Sequence, residues 1–465
     1  MKVLIFGTSQ FYEKRRNLIV NNTEIVGFLD NNMKKQGQKF YDKKIYSPGI
    51  VGSIDYDIVL LMSVKAEEMK KQLLELGVPR EKIWFWNKYY SYYHQNDIKT
   101  YINTQNDVGK RRVLILTIQM NYDGGSLAVI YAAKTLMNTG YEVLIMACGG
   151  NEVFIKEMYN RGINIMIYPK LPYIIYKDVA DKWNFDMAIV NTFPMIQSAC
   201  EISRYKPVMW WIHESGYIYE NVLSEFNYYR DNFFRYSMLI CAVSKIAMKN
   251  FNYYMKENIE ENKLVCGLPD TYIKSGRQIR NKTIFAIIGG INENKSQDKV
   301  LNVMMNLNTK YSERMELWIV GKMDESKYCQ KIRYMADSIE NVQLKGELSR
   351  REMQEIYKVI DCVVCASLEE TLSLVVIEAM MNKKVSICSD NTGISEFIKN
   401  GQNGFIFKTD NSIELEEKME YVLNASDKEL DAIGENARKT YEYNFSMNKF
   451  SEKLNEQLGK LGEMN

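Results

Sequence analysis

Two glutamates eight positions apart, Glu370 and Glu378, stand in the run Ser367-Leu368-Glu369-Glu370-Thr371-Leu372-Ser373-Leu374-Val375-Val376-Ile377-Glu378-Ala379-Met380. The apolar stretch Cys362–Ala366 before it reads as a buried strand; a short turn follows and a helix begins. A helix N-terminus leaves backbone N–H groups unpaired at the positive end of the dipole. The backbone around Leu372–Val375 therefore suits a diphosphate, with Thr371, Leu372, Ser373 and Leu374 as candidate donor-binding residues. Glu370 would face a sugar attached to that diphosphate, and Glu378 would accept hydroxyls of a ribose. The competing reading is an ordinary strand–helix unit with two solvent-facing glutamates, because this spacing alone is a weak pattern.

Composition narrows the field. Lys and Arg number 60 against 58 Asp and Glu, a net charge of +2, so no global field favours nucleic acid. The hydrophobic fraction of 46% and charged fraction of 25% are those of a soluble globular protein. The N-terminus runs straight into a strand pattern, with no stretch of signal-peptide or membrane-span length. The eight cysteines are scattered through apolar runs, as reduced thiols in a cytoplasmic protein would be. Cys362 and Cys365 point to opposite faces of a strand, which fits neither zinc nor a redox pair. With two histidines in all, His94 and His213, a His-rich metal site is excluded.

The elements that would position these groups fall into three strand–turn–helix blocks. Residues 1–92 form a small Rossmann-like α/β domain, with strands at Lys2–Phe6, Glu24–Leu29, Ile58–Met62 and Lys82–Trp86. Residues 93–110 read as a linker. A second block, 111–275, opens with a strand over Arg112–Thr117, a loop holding Gly124 and Gly125, and a helix over Ser126–Met137. Its later strands end with Val208–Ile212 and Met238–Val243. The third block, 276–440, begins at Thr283–Ile288, and 441–465 is an amphipathic helix expected to cross back to the second block. Ligands on open α/β sheets sit outside the carboxyl ends of the strands. The expected fold is therefore α/β, with two Rossmann-like domains facing a cleft and a small third one in front.

From Glu370 through Glu378-Ala379-Met380 the sequence resembles glycosyltransferase family 4, retaining enzymes of GT-B architecture. The likeness continues through Lys383-Lys384-Val385, Ser389–Glu396 and Asn400-Gly401-Gln402-Asn403-Gly404-Phe405. Upstream, Leu317–Gly321, Asn341–Gly346 and Tyr357–Val364 look the same, so it covers roughly residues 112–465. The resemblance implies transfer of a sugar from a UDP-, GDP- or dTDP-sugar, with retention and no metal or other cofactor. The acceptor class would be a glycan, a lipid-linked molecule or a protein, in bacterial surface polysaccharide or glycoconjugate synthesis. The enzyme would be cytoplasmic, at the inner face of the membrane.

Residue roles follow from the same resemblance. In the family the loop Ile288-Gly289-Gly290-Ile291-Asn292-Glu293-Asn294-Lys295 carries an Arg and a Lys that neutralise the departing diphosphate. Lys295 occupies the Lys position; the Arg has no counterpart, since Gly290 or Asn294 stands there, and Lys322 is a candidate substitute. Gly124 and Gly125 would lie under the donor phosphate, and His213 near the reacting sugar. Glu370, Lys295 and His213 are the expected catalytic residues; Gly124, Gly125, Gly290, Lys295, Thr371, Leu372, Ser373, Leu374 and Glu378 bind the donor. Trp210, Trp211, Tyr217, Tyr219 and Arg230 are candidates for a membrane surface or a glycan, although plain packing explains Tyr-rich helices equally.

Residues 1–92 look like the small domains attached to sugar-modifying enzymes. Gly7-Thr8-Ser9-Gln10-Phe11-Tyr12 keeps only the first glycine of a dinucleotide fingerprint, so a docking or vestigial nucleotide module is expected. An oligomer or partner protein would meet this domain. The lost Arg and the replacement of family glycines by Thr371 and Ser373 motivate an alternative, a non-catalytic subunit that stabilises or targets a paralogous transferase. A GT-B epimerase, which uses several histidines, fits two histidines poorly.

Overall fold

The fold was analysed in a computed structural model that describes residues 1–13, 15–63, 65–93, 98–103, 110–169, 171, 183–260, 262–272 and 281–463. The chain divides into two compact units, one holding Met1–Trp210 and Gly216–Leu239, the other Trp211–Ser215 and Ile240–Met464.

The first unit holds two sheets. In the N-terminal one, Lys2–Phe6 lies between Glu24–Leu29 and Ile58–Leu61, parallel to both. Its side chains alternate in the pleat: Val3 and Ile5 enter one apolar cluster with Phe28 and Trp86, and Leu4 and Phe6 enter another with Leu29 and Leu73. Asp30, at the end of the second strand, is engaged within the domain. Its carboxylate accepts from Thr8 Oγ1 and, at 2.8 Å, from the Asn32 amide, and it pairs with Lys35 at 3.4 Å. The Asp30 carboxylate is thus satisfied within the domain.

The second sheet centres on Arg112–Met120, parallel to Glu142–Gly150 and Met187–Asn191. Within the stretch expected as a linker, of which 94–97 and 104–109 lie outside the described residues, Lys99–Tyr101 forms an antiparallel edge strand on Asn164–Ile167. Polar alternation suits an edge strand as well as a linker, and sequence pattern does not separate them. Gly124 and Gly125 are corrected: both lie inside the helix Gly124–Asn138 and not in a loop. Asp123 caps that helix by accepting from the Ser126 amide at 2.8 Å, which closes the first turn early. Trp210 and Tyr219 are fully buried here, as is Trp211 in the other unit, so these three belong to cores and not to a membrane-facing surface. Arg230 pairs with Asp231 at 2.8 Å, whereas Tyr217 is exposed.

The second unit contains a six-stranded parallel sheet, in the order Val342–Gly346, Met315–Val320, Thr283–Ile288, Cys362–Cys365, Val385–Ser389, Phe405–Phe407. Its central strands, Thr283–Ile288 and Cys362–Cys365, are apolar on both faces because helices cover both. Phe285 and Ile287 pack into one layer, and Ile284, Ala286 and Ile288 into the other. From Thr283–Ile288 the chain builds outward in one direction, then returns to place Cys362–Cys365 on the opposite side. The direction of the connections therefore switches between these two strands, which makes their carboxyl ends a topological switch point.

The helix Asp427–Asn444 runs through the expected boundary at 441, and the last helix is Met447–Glu463. Phe450 of that helix packs on Trp211 with ring centroids 5.8 Å apart. Burying such a side chain contributes about 2 kcal/mol. Trp211 and the residues beyond Ile240, expected in the 111–275 domain, group with this second unit. No helix among the described residues is long and apolar enough to cross a membrane.

Candidate active site

The two loops at the switch point come from Ile288 and from Cys365. After Ile288 the chain turns through Gly289 and Gly290 into a short turn, Glu293–Lys295, capped by Asn292, whose Oδ1 accepts from the Lys295 amide at 3.1 Å. Gly321, at the end of the adjacent strand, lets these loops touch: a Cβ there would sit 1.9 Å from the Gly289 carbonyl, at φ +154°. The Asn294 side chain then clamps the second loop, donating to the Glu369 carbonyl at 2.9 Å and accepting from the Glu369 amide at 3.2 Å.

This clamp brings Lys295 to Glu370. Nζ lies 2.9 Å from Oε1, with both side chains about a fifth exposed (23% and 18%). Burial alone would depress the Lys295 pKa; the facing Glu370 carboxylate, with Cys365 and the hydrogen bond to Glu370, outweighs it and leaves the pKa raised. The ammonium therefore stays charged at neutral pH. Glu370 Oε2 accepts from Ser367 Oγ at 2.9 Å and from Cys365 Sγ at 3.4 Å. The Glu370 backbone is fixed as well, by a bridge to Thr392 in which the Gly393 amide donates to the Glu370 carbonyl at 2.7 Å. Gly393 has no room for a side chain, since its Cβ would lie 1.9 Å from the Thr371 carbonyl.

His213 adjoins the same loop: Thr371 Oγ1 donates to the His213 carbonyl at 2.6 Å. Its ring centroid lies 4.5 Å from that of Trp211, and its Nε2 is shielded, with no partner among the described residues. Burial drives its pKa down to about 3, so the imidazole is neutral at pH 7. The helix Leu374–Met381 starts at Ser373 without a side-chain cap, because Ser373 Oγ turns to Cys365 Sγ at 3.4 Å. The first N–H groups of that helix, at Leu374 and Val375, have no side-chain acceptor from its N-cap. One turn on, Glu378 Oε2 accepts from the Tyr357 hydroxyl at 2.8 Å. Burial raises the Glu378 pKa, and the Tyr357 hydrogen bond and Arg350 pull it partly back.

A family model described as Glycosyl transferases group 1 matches residues 270–440, and one described as Glycosyl-transferase family 4 matches residues 109–263. The chain carries glycosyltransferase domains. Residues 1–84 match a family model described as C2185-like, N-terminal. EpsD of Bacillus subtilis (strain 168), provisionally named a glycosyltransferase, is 29% identical over 89 residues, 19% of this chain and 23% of that protein's length. Among solved structures, HepE of Anabaena in complex with UDP and glucose aligns with a TM-score of 0.64 at 17% identity, covering 75% of this chain and all 100% of that one. A glycosyltransferase from Rickettsia africae ESF-5 aligns at 0.63 with 19% identity, over 76% and 98% of the two chains. Sucrose-phosphate synthase from Thermosynechococcus elongatus aligns at 0.63 with 12% identity, over 77% and 100%. At such identities the likeness is one of fold, and that fold is GT-B.

Within the glycosyltransferase domains, the second unit brings together Lys295, Glu370, Thr371, Ser373 and His213, with Leu372 and Leu374 flanking Ser373 and Glu378 on the helix that follows. Gly124 and Gly125 stand in the other unit. Among the described residues a Cβ on Gly290 would meet only Asn292 Nδ2, at 3.9 Å, so the first atom of a side chain there has open space. Lys322 is exposed, and its carbonyl accepts from the Ile291 amide at 3.1 Å, which keeps it beside the Gly290 loop. Sequence reasoning missed Asn294, Ser367, Cys365, Tyr357 and Gly393. A polar residue just before Lys295 and a serine three before Glu370 were visible signals for two of them; contacts across the sheet were not.

Proposed function

We propose that this chain is a retaining glycosyltransferase that moves a sugar from a nucleotide-sugar donor. One observation carries the reading: an ion-paired Lys295 and Glu370 at the topological switch point, beside an uncapped helix start. Lys295 and the amides at Leu374 and Val375 meet the diphosphate, Glu370 orients the sugar, and Glu378 takes the ribose hydroxyls. In the transfer step the bond between the anomeric carbon and the diphosphate oxygen breaks as the acceptor oxygen bonds that carbon from the same face. The acceptor proton passes to the departing phosphate, and neutral His213 serves as a hydrogen-bonding neighbour. No metal or other cofactor enters this scheme. The UDP and glucose bound to HepE support a nucleotide-sugar donor. The proposed acceptor is a glycan, lipid-linked molecule or protein of a bacterial surface glycoconjugate, met at the cytoplasmic face of the membrane.

The test is nucleotide release from a panel of UDP-, GDP- and dTDP-sugars, with the anomeric configuration of the product read by NMR. One donor is expected to turn over with retention, and Glu370→Ala to abolish it. Inversion, or turnover unaffected by that substitution, refutes the assignment. The open space at Gly290 favours a second reading, a non-catalytic partner of another transferase; no donor would then turn over, and the second transferase would co-purify.

A further inference from the structure

We propose that Ser367 is a positioning residue of this site, holding the Glu370 carboxylate in the orientation that pairs it with Lys295; this rests on the glycosyl-transfer reading above. The two carboxylate oxygens have different tasks. Oε1 faces Lys295 Nζ at 2.9 Å, and Oε2 takes the Ser367 hydroxyl at 2.9 Å. Among the described residues Lys295 is the cation paired with this carboxylate, and its short contact is with Oε1. The grip on that side is a neutral donor, and it leaves the charge of the pair undiluted.

Ser367 suits this task because it is itself immobile. It is fully buried, so water does not compete for its single proton. Its carbonyl accepts from Ser389 Oγ at 2.6 Å, and Ser389, also fully buried, lies on the adjacent strand Val385–Ser389. Cys365 Sγ, 3.4 Å from both Glu370 Oε2 and Ser373 Oγ, closes the cradle from beneath. A glutamate side chain has three rotatable torsions, and an ion pair to a flexible lysine selects none of them uniquely. A hydrogen bond from a rigid donor to the ionised carboxylate does select one, and such bonds are about twice as strong as neutral ones. Small displacements of a group that orients a substrate cost rate more than affinity.

The experiment compares wild type, Ser367→Ala and Ser367→Cys by two readouts. The first is the pH titration of Lys295 Nζ, followed by NMR of 15N-lysine-labelled protein and assigned with Lys295→Arg. The second is steady-state kinetics with the donor the wild type turns over. In Ser367→Ala the Lys295 midpoint is expected to fall, and kcat to drop about 10- to 100-fold with donor KM within about threefold. Ser367→Cys, which keeps a weak donor, restores part of both. If Ser367→Ala does not fold, Ser367→Cys carries both readouts with smaller changes. A Lys295 titration that matches wild type in a folded variant overturns the proposal whatever the kinetics. A wild type inert toward every donor, with Lys295 still responding to Ser367→Ala, sinks the transfer reading and leaves the positioning role standing.

Discussion

Replacing Glu370 by Gln keeps the shape of the side chain and removes its charge. At 2.9 Å and an effective dielectric of about 20, the attraction lost is about 6 kcal/mol before any desolvation is returned. Both side chains are largely buried, so much of that attraction is spent on holding two charges out of water. The net coupling expected from a double-mutant cycle with Lys295→Met is therefore about 2 kcal/mol. Each single substitution strands a charge and should cost about 3 kcal/mol, more than its share of the coupling. Because the chain has two units, global unfolding is a poor measure. Hydrogen exchange of the buried strand Cys362–Cys365, read by mass spectrometry in sub-denaturing urea, reports the second unit by itself. Costs of the two substitutions that add to within about 0.5 kcal/mol in the double variant would refute the claim that this pair is energetically joined.

Other outcomes follow from the same geometry. His213 titrates near 3 in the folded chain against 6.5 in the unfolded one, so the unfolded state alone binds the proton between those values. Its contribution to stability is complete above pH 6.5 and declines by about 1.4 kcal/mol per pH unit on acidification below that. His213→Gln should remove that slope from stability measured between pH 6 and about 4, and an unchanged slope contradicts the neutral imidazole. Gly290→Arg places a guanidinium where a Cβ meets only Asn292 Nδ2 at 3.9 Å. It should lower donor KM about tenfold without loss of thermal stability; unaltered KM shows that the space does not face the diphosphate. Tyr357→Phe removes the hydrogen bond that restrains the upward shift of Glu378. The acid limb of donor affinity should move to higher pH, and a limb that stays in place dissociates Glu378 from donor binding.

The central strands of the second unit were readable because their residues are apolar on both faces and bounded by turns. Thr283–Ile288 begins and ends where the pattern placed it, and the strand expected over Cys362–Ala366 ends one residue earlier, at Cys365. Lys99–Tyr101 was not readable, since three residues at a sheet edge carry too little periodicity to separate from a polar connection. Gly124 and Gly125 misled for a related reason: a glycine pair signals a turn, and only the Asp123 cap shows that the helix has already begun. At the candidate site, the Glu370 and Glu378 spacing and the position of Lys295 were legible along the chain. The partners that hold them were not: Asn294 is 75 residues from Glu369, and Tyr357 is 21 from Glu378. Sequence pattern reports which face a residue occupies, but not which side chain arrives there from another loop.

The eight free cysteines have a practical consequence. All but Cys148 are buried, and burial pushes the Cys241 and Cys266 thiols up to about 12, so the reactive thiolate is scarce among them at neutral pH. An alkylating reagent would then modify the seven buried thiols only as fast as the packing around them comes apart. Cys148 and Cys200 lie in the first unit, and Cys241, Cys266, Cys329, Cys362, Cys365 and Cys388 in the second. Each half of the molecule thus contains its own chemical clock, and peptide-resolved alkylation rates would time the opening of the two halves separately in a single sample.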